Sequence, residues 1–147
     1  KFSGGMNKAL EGIFIKKYKK NPELFENGKK VRFSYKDYGA GEGATIIQKG
    51  IDAAAIGDTI LVGPGTYHEH LSIDGGKVLI SQQGRETTTI DGGSTGRVLY
   101  INQEATIDGF TIKNGYVQGS DGAGIYLNAY MGKTFLKNLM YIHNTNL

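Results

Sequence analysis

With 147 residues, 17 Lys and Arg against 14 Asp and Glu, and a formal net charge of +3, the chain has room for one domain and a modest amino-terminal appendage. Cysteine is absent, which excludes disulfides, thiol catalysis and cysteine-bound zinc, and no apolar stretch approaches the length of a secretory signal or a membrane span. Glycine reaches 23 residues beside two prolines with no Gly-X-Y period, so the composition points to many tight turns and not to collagen.

Charge divides the chain. Residues 1–43 carry nine Lys and one Arg against five acids, a net of +5, whereas residues 44–147 carry seven basic and nine acidic side chains, a net of −2. Within the basic segment Met6, Leu10, Ile13 and Phe14 fall at helical spacing, and Asn21-Pro22 would end such a helix. The run Lys16-Lys17-Tyr18-Lys19-Lys20 reads as a solvated helix end or linker ahead of an anion-binding site, because it is short and holds one aromatic where a single-strand binder interleaves several. Val31 to Tyr35 alternates like a strand, and Gly39 to Gly43 reads as a linker. Residues 1–43 are therefore expected to form a basic extension, and residues 44–147 the main domain. That domain is expected to open with a helix from Thr45 to Ala55, with Ile46, Ile47, Ile51 and Ala54 on its apolar face.

Beyond the helix, segments of three to five residues alternate apolar and polar positions, the period of a half-buried strand. They recur. Val98-Leu99-Tyr100-Ile101-Asn102 is repeated as Gly124-Ile125-Tyr126-Leu127-Asn128, displaced by 26 positions, and Ile107-Asp108-Gly109-Phe110 as Leu136-Lys137-Asn138-Leu139, displaced by 29. An interval of this size marks a repeat architecture, and strands that return to the same place once per repeat stack in parallel. Over residues 59–142 the pattern predicts parallel strands around a core of Ile60, Val62, Ile73, Ile80, Ile90, Leu99, Ile101, Ile107, Ile112, Ile125, Leu127 and Leu136. About three or four coils fit between Thr59 and Leu147, near the minimum of roughly three that stacked repeats need.

Ile51-Asp52-Ala53-Ala54, Gly57-Asp58-Thr59-Ile60-Leu61-Val62 and Pro64-Gly65-Thr66-Tyr67, followed by Thr89-Ile90-Asp91-Gly92 and Asp108 to Gly115, resemble the amino-terminal cap and first coils of right-handed parallel β-helix proteins of the pectate-lyase-like superfamily. The resemblance covers about residues 38–147. It implies an all-β fold, a right-handed parallel β-helix solenoid with a short amino-terminal capping helix at about 45–55 and coils at about 59–147. The last coil, Thr134 to Ile142, is left with an apolar open edge, so either another chain covers it or the natural protein continues past Leu147. Similar openings occur in polysaccharide lyases, esterases, hydrolases, phage tailspikes and surface proteins without enzymatic activity, so the fold leaves the chemistry open.

In lyases of the superfamily acids on one sheet hold calcium and an Arg or Lys removes a proton; in its hydrolases paired carboxylates act. The resemblance thus directs attention to Asp91 and Asp108 on strand ends. Asp108 aligns with Lys137 one coil on, however, and a cross-strand charge pair contributing about 0.2–1 kcal/mol is the simpler role. His68 and His70, two apart, face the same way on a strand as two metal ligands would, yet no third ligand is evident in the sequence and exposed turn residues are the simpler reading. Tyr100 and Tyr126 point outward between inward residues and stack on adjacent rungs. They suit a sugar-stacking platform, although stabilising the sheet is the favoured role. Asn102 and Asn128 form an amide ladder beside them.

The reading that asks least of these residues is a non-catalytic module of an extracellular or cell-surface protein, a rigid scaffold or a surface for a glycan or partner chain. Two alternatives stand beside it: the amino-terminal part of a polysaccharide lyase or hydrolase whose active site lies beyond this chain, and a subunit that self-assembles through uncapped coil ends. No cofactor is expected, with Ca2+ needed only in the lyase case. The expected partners are a polysaccharide, or a homo-oligomer or neighbouring chain through the last coil; nucleic acid is not favoured.

Overall fold

The computed structural model describes residues 25–26, 29–34, 46–128 and 132–147. The helix expected over Met6 to Phe14, the Lys16 to Lys20 run and the Gly39 to Gly43 linker lie outside them.

Among the described residues the protein is all-β apart from one short helix, α1 (Ile46–Ala53). Strand β1 (Phe25–Glu26) pairs antiparallel with β2 (Lys29–Ser34), and β2 lies parallel to β3 (Thr59–Val62), so the alternating segment at Val31 is a strand docked on the main sheet. There follow β4 (Gly65–Tyr67), β5 (Leu71–Asp74), β6 (Lys77–Ser81), β7 (Thr88–Asp91), β8 (Leu99–Asn102), β9 (Ala105–Asp108) and β10 (Thr111–Lys113). The last group is β11 (Tyr116–Val117), β12 (Ile125–Asn128), β13 (Phe135–Lys137), β14 (Met140–Ile142) and β15 (Thr145–Asn146). A six-stranded sheet runs β1-β2-β3-β6-β9-β13, a four-stranded sheet β4-β7-β10-β14 and a three-stranded sheet β5-β8-β12, while β11 and β15 form a short pair. From β3 onward these pairings are parallel. The chain visits three sheets in turn and comes back to the first, one strand farther along, with each circuit.

The register is the one implied by the sequence copies. Ile125 to Asn128 lie opposite Leu99 to Asn102, and Leu136 and Lys137 opposite Ile107 and Asp108. Circuit length varies more than the copies suggest: Ile60 faces Leu79, Leu79 faces Ile107, and Ile107 faces Leu136, steps of 19, 28 and 29 residues. The strands stay short and the turns absorb the difference. At the corner after β9 stands Gly109 with φ 86°, and at the same corner one circuit on stands Asn138 with φ 51°. Both occupy the left-handed region, which glycine enters freely and Asn tolerates better than most side chains. Gly109 also touches the previous circuit so closely that a Cβ there would collide with Ser81 Oγ.

Inward residues of successive circuits make one core. Ile60, Val62, Ile73, Ile90, Leu99, Ile101, Ile107 and Ile112 are buried as expected, joined by Phe110 at a corner and by Ile47 and Ile51 of α1. Burying each such side chain contributes about 1.5–3 kcal/mol, so the stacked layers, not any single strand, hold the fold. Three expectations need correction. Ile80 is only half-buried, because in Lys77–Ser81 the residues aligned with Ile60 and Val62 are Leu79 and Ser81; a continuous Val-Leu-Ile run does not reveal which parity faces in. Leu127 and Leu136 are 45% and 43% exposed. They hold the inward columns of Ile101 and Ile107, but the described residues place no further layer over them. Ile125, in the same last circuit, is partly buried against the core.

Candidate functional site

The candidate carboxylates are not brought together. Asp91 closes β7 in the four-stranded sheet and Asp108 closes β9 in the six-stranded sheet. Asp91 is buried, and its Oδ1 accepts from the Gly93 N–H at 2.8 Å and from Asn114 Nδ2 at 2.9 Å. Half-buried Asp108 accepts from Asn138 Nδ2 at 2.9 Å. In each case the next circuit places a lysine opposite the acid, Lys113 and Lys137, and an asparagine one position later makes the contact. The expected charge pair of Asp108 with Lys137 therefore has the right register but a different bond. Asn138 in the left-handed conformation turns its amide back onto the carboxylate, and the Lys137 ammonium lies over the Phe135 ring at 5.8 Å. Both acids tie one circuit to the next.

His68 and His70 are exposed on the same side, with buried Glu69 pointing the other way between them. Nδ1 of His70 lies 2.6 Å from the Arg97 carbonyl, an oxygen that only accepts, so this nitrogen carries the proton; Nε2 lies 3.1 Å from Thr95 Oγ1. With both ring nitrogens against the neighbouring turn, His70 braces that turn. Among the described residues no group of three or more His, Asp or Glu is placed to hold a metal.

Glu69, absent from the sequence-based candidates, has a structural task at the amino-terminal end. Its Oε2 accepts from the Ile47 N–H at 2.9 Å and its Oε1 from the Gln48 N–H at 3.0 Å, so one carboxylate satisfies two helix-start donors that have no partner within α1. Gln48 then mimics a strand. Its Oε1 accepts from the Ser72 N–H at 2.9 Å and its Nε2 donates to the Ser72 carbonyl at 3.1 Å, closing the outer edge of β5 with a side-chain amide. The signal for Glu69 was a single acid between two histidines in an alternating segment, legible only once α1 is placed above it.

On the outer face of the three-stranded sheet, Ser72, Tyr100 and Tyr126 form a column, and the two rings stack as expected with centroids 5.5 Å apart and planes 15° from parallel. The Arg97 guanidinium lies over Tyr126 at 4.6 Å while its Nη2 donates to Ser120 Oγ at 2.6 Å and to the Asp121 carbonyl at 3.1 Å. Asn128 Nδ2 donates to Asn102 Oδ1 and to the Tyr100 hydroxyl, both at 3.1 Å, so the amide ladder exists and is knitted to the ring ladder. Each ring uses one face on the other, and the polar groups beside them bind their neighbours. The arrangement stiffens this sheet.

The last circuit is different. Leu127, Leu136 and Tyr141, with Gly122, Ile125 and Asn144, line a cavity of about 360 Å³. Leu127, Leu136 and Tyr141 are 45%, 43% and 53% exposed, whereas their register partners Ile101, Ile107 and Ile112 are fully buried. Partial burial raises the Tyr141 hydroxyl above its ordinary value of 10.0. Here an apolar surface lies beside strand edges. No family model, curated protein or solved structure matches the chain.

Proposed function

We propose that the described residues form a right-handed parallel β-helix of the pectate-lyase-like kind, and that it serves as a non-catalytic module of an extracellular or cell-surface protein. It is a rigid scaffold that presents surfaces to a glycan or to a partner chain. One observation carries this reading: Asp91 and Asp108, to which the resemblance would assign chemistry, and His70, singled out by its spacing from His68, are engaged in joining circuits. Asp91 holds Gly93 and Asn114, Asp108 holds Asn138, and His70 braces the turn at Thr95 and Arg97. A general acid or base needs a carboxylate aimed at substrate, with a second group placed to work against it. These two acids lie on different sheets and face their own corners. Calcium belongs to the lyase alternative and is not required by the scaffold.

The test is incubation of the purified chain with polygalacturonate and a panel of acidic and neutral polysaccharides, with and without calcium, followed by reducing-end and unsaturated-product assays. No product is expected. Product formation that disappears in Asp91→Asn or Asp108→Asn would overturn the scaffold reading, and a crystal structure wound with the opposite hand would overturn the β-helix assignment.

A further inference from the structure

We propose that Asn114-Gly115 is a site of spontaneous deamidation that the stacked circuits hold shut, and that the acid formed there keeps the corner from closing again. This goes beyond the scaffold reading and stands or falls separately from it.

Among the described residues Asn114 is the one asparagine followed by glycine. In such a pair the Gly115 nitrogen can reach the side-chain carbonyl carbon of Asn114, since glycine has no side chain to hinder the approach. A bond forms between that nitrogen and Cγ, the bond from Cγ to Nδ2 breaks, and the Gly115 proton leaves with Nδ2 as ammonia. Water then opens the cyclic imide at either carbonyl. The product is aspartate or isoaspartate at position 114, with no change of oxidation state.

Each member of the pair is fixed by a contact of its own. Asn114 turns the corner after β10 with φ 54°, in the left-handed region that Asn tolerates, and its Nδ2 donates to buried Asp91 Oδ1 at 2.9 Å. Gly115 is buried, and a Cβ there would collide with the Ala123 carbonyl oxygen. The fold therefore demands an asparagine and then a glycine for reasons unrelated to their reactivity. It also restrains both reacting groups. The leaving nitrogen is held by Asp91, and the attacking Gly115 N–H donates to Asn144 Oδ1 at 2.7 Å. An amide oxygen is no base, so the proton stays where it is until the circuits part.

The backbone is clamped from both neighbouring circuits. The Ser94 N–H donates to the Asn114 carbonyl at 2.7 Å, the Asn114 N–H to the Ile142 carbonyl at 3.0 Å, and the Thr145 N–H to the Gly115 carbonyl at 2.9 Å. Where opening and closing are fast beside the chemistry, the pair reacts in proportion to the fraction of time this corner is open. Reaction then bars the return. Position 114 loses its N–H donor, and a carboxylate meets the Asp91 carboxylate where a hydrogen bond had joined two circuits.

The first test uses the unaltered full chain, held in mildly alkaline buffer with and without urea and digested at intervals. Mass spectrometry reads the conversion of amide to acid at position 114. Conversion is expected to be at least about tenfold faster in urea than in buffer. Equal rates, or no conversion in urea, would overturn the proposal. The second test asks whether the product blocks closure. Asn114→Asp keeps a residue type that tolerates the corner and should lower the ratio of folded to unfolded chain about tenfold. Adding Asp91→Asn returns a donor to the pair, leaves an oxygen for the Gly93 N–H, and should recover most of that loss. An Asn114→Asp chain as stable as the unaltered one, or a loss that Asp91→Asn does not relieve, would show that the acid is no obstacle to closing.

Discussion

The two ends of the stack are made from the same kind of strand and differ in what the described residues place over them. At the amino-terminal end α1 lays Ile47 and Ile51 into the core, Glu69 holds its first turn, and the Gln48 amide completes the edge of β5. With β2 also laid along β3, Ile60 and Ile73 of that first circuit are as well buried as residues in the middle. At the other end Leu127 and Leu136 have equivalent side chains at equivalent register positions and remain more than two-fifths exposed. In a stacked fold a residue's burial belongs to its neighbours on both sides, so stability is a sum over interfaces rather than over strands.

The largest expected effect breaks one column at two depths. Ile101→Asp places a charge without a partner between two circuits, a penalty of several kcal/mol that should abolish cooperative urea unfolding. Leu127→Asp, one strand farther along the same column, should cost about 1 kcal/mol or less, because the carboxylate reaches water. Similar losses at the two positions would mean that the last circuit is covered in solution. A smaller effect sharpens the contrast from the capped end. Glu69→Gln weakens two charge-assisted hydrogen bonds to the start of α1 and should lower stability by about 1–3 kcal/mol, with faster amide exchange at Ile47 and Gln48 and little change at β13. Unchanged exchange at those two amides would show that packing alone holds the helix.

The smallest effect lies at the open end. Because the Tyr141 hydroxyl is raised above 10.0 by burial, the neutral phenol is favoured in the folded chain. Its contribution is present below the unfolded value and is lost as pH rises through the folded one. Urea midpoints between about pH 9 and about pH 11 should therefore fall less steeply for Tyr141→Phe than for the unaltered protein. Parallel slopes would indicate a fully solvated hydroxyl.

Much of the repeat was legible because similar short segments leave a trace that needs no tertiary information. Leu99-Tyr100-Ile101-Asn102 beside Ile125-Tyr126-Leu127-Asn128 foretold a register, a ring ladder and an amide ladder, and all three are present. Less was legible where a run had no alternation, as at Val78-Leu79-Ile80, whose inward member is decided by Ile60 and Ile107 on the flanking strands. The candidate site was read least well. Asp91 and Asp108 stood out as acids on strand ends, but their partners are asparagines one circuit away, and the Asn138 contact depends on a left-handed backbone that residue type alone does not announce.

By itself the sequence determined the strand period, the turn-rich composition, the parallel return of the chain and the register of its clearest copies, since these follow from local alternation and from one segment's likeness to another. Only the tertiary structure decided which carboxylates tie circuits together, that Glu69 holds the helix, and that Leu127, Leu136 and Tyr141 form an open apolar cup instead of a core. The physical reason is that hydrogen-bond partners and burial are properties of pairs of circuits more than 20 residues apart, whereas period and propensity are properties of a few consecutive residues.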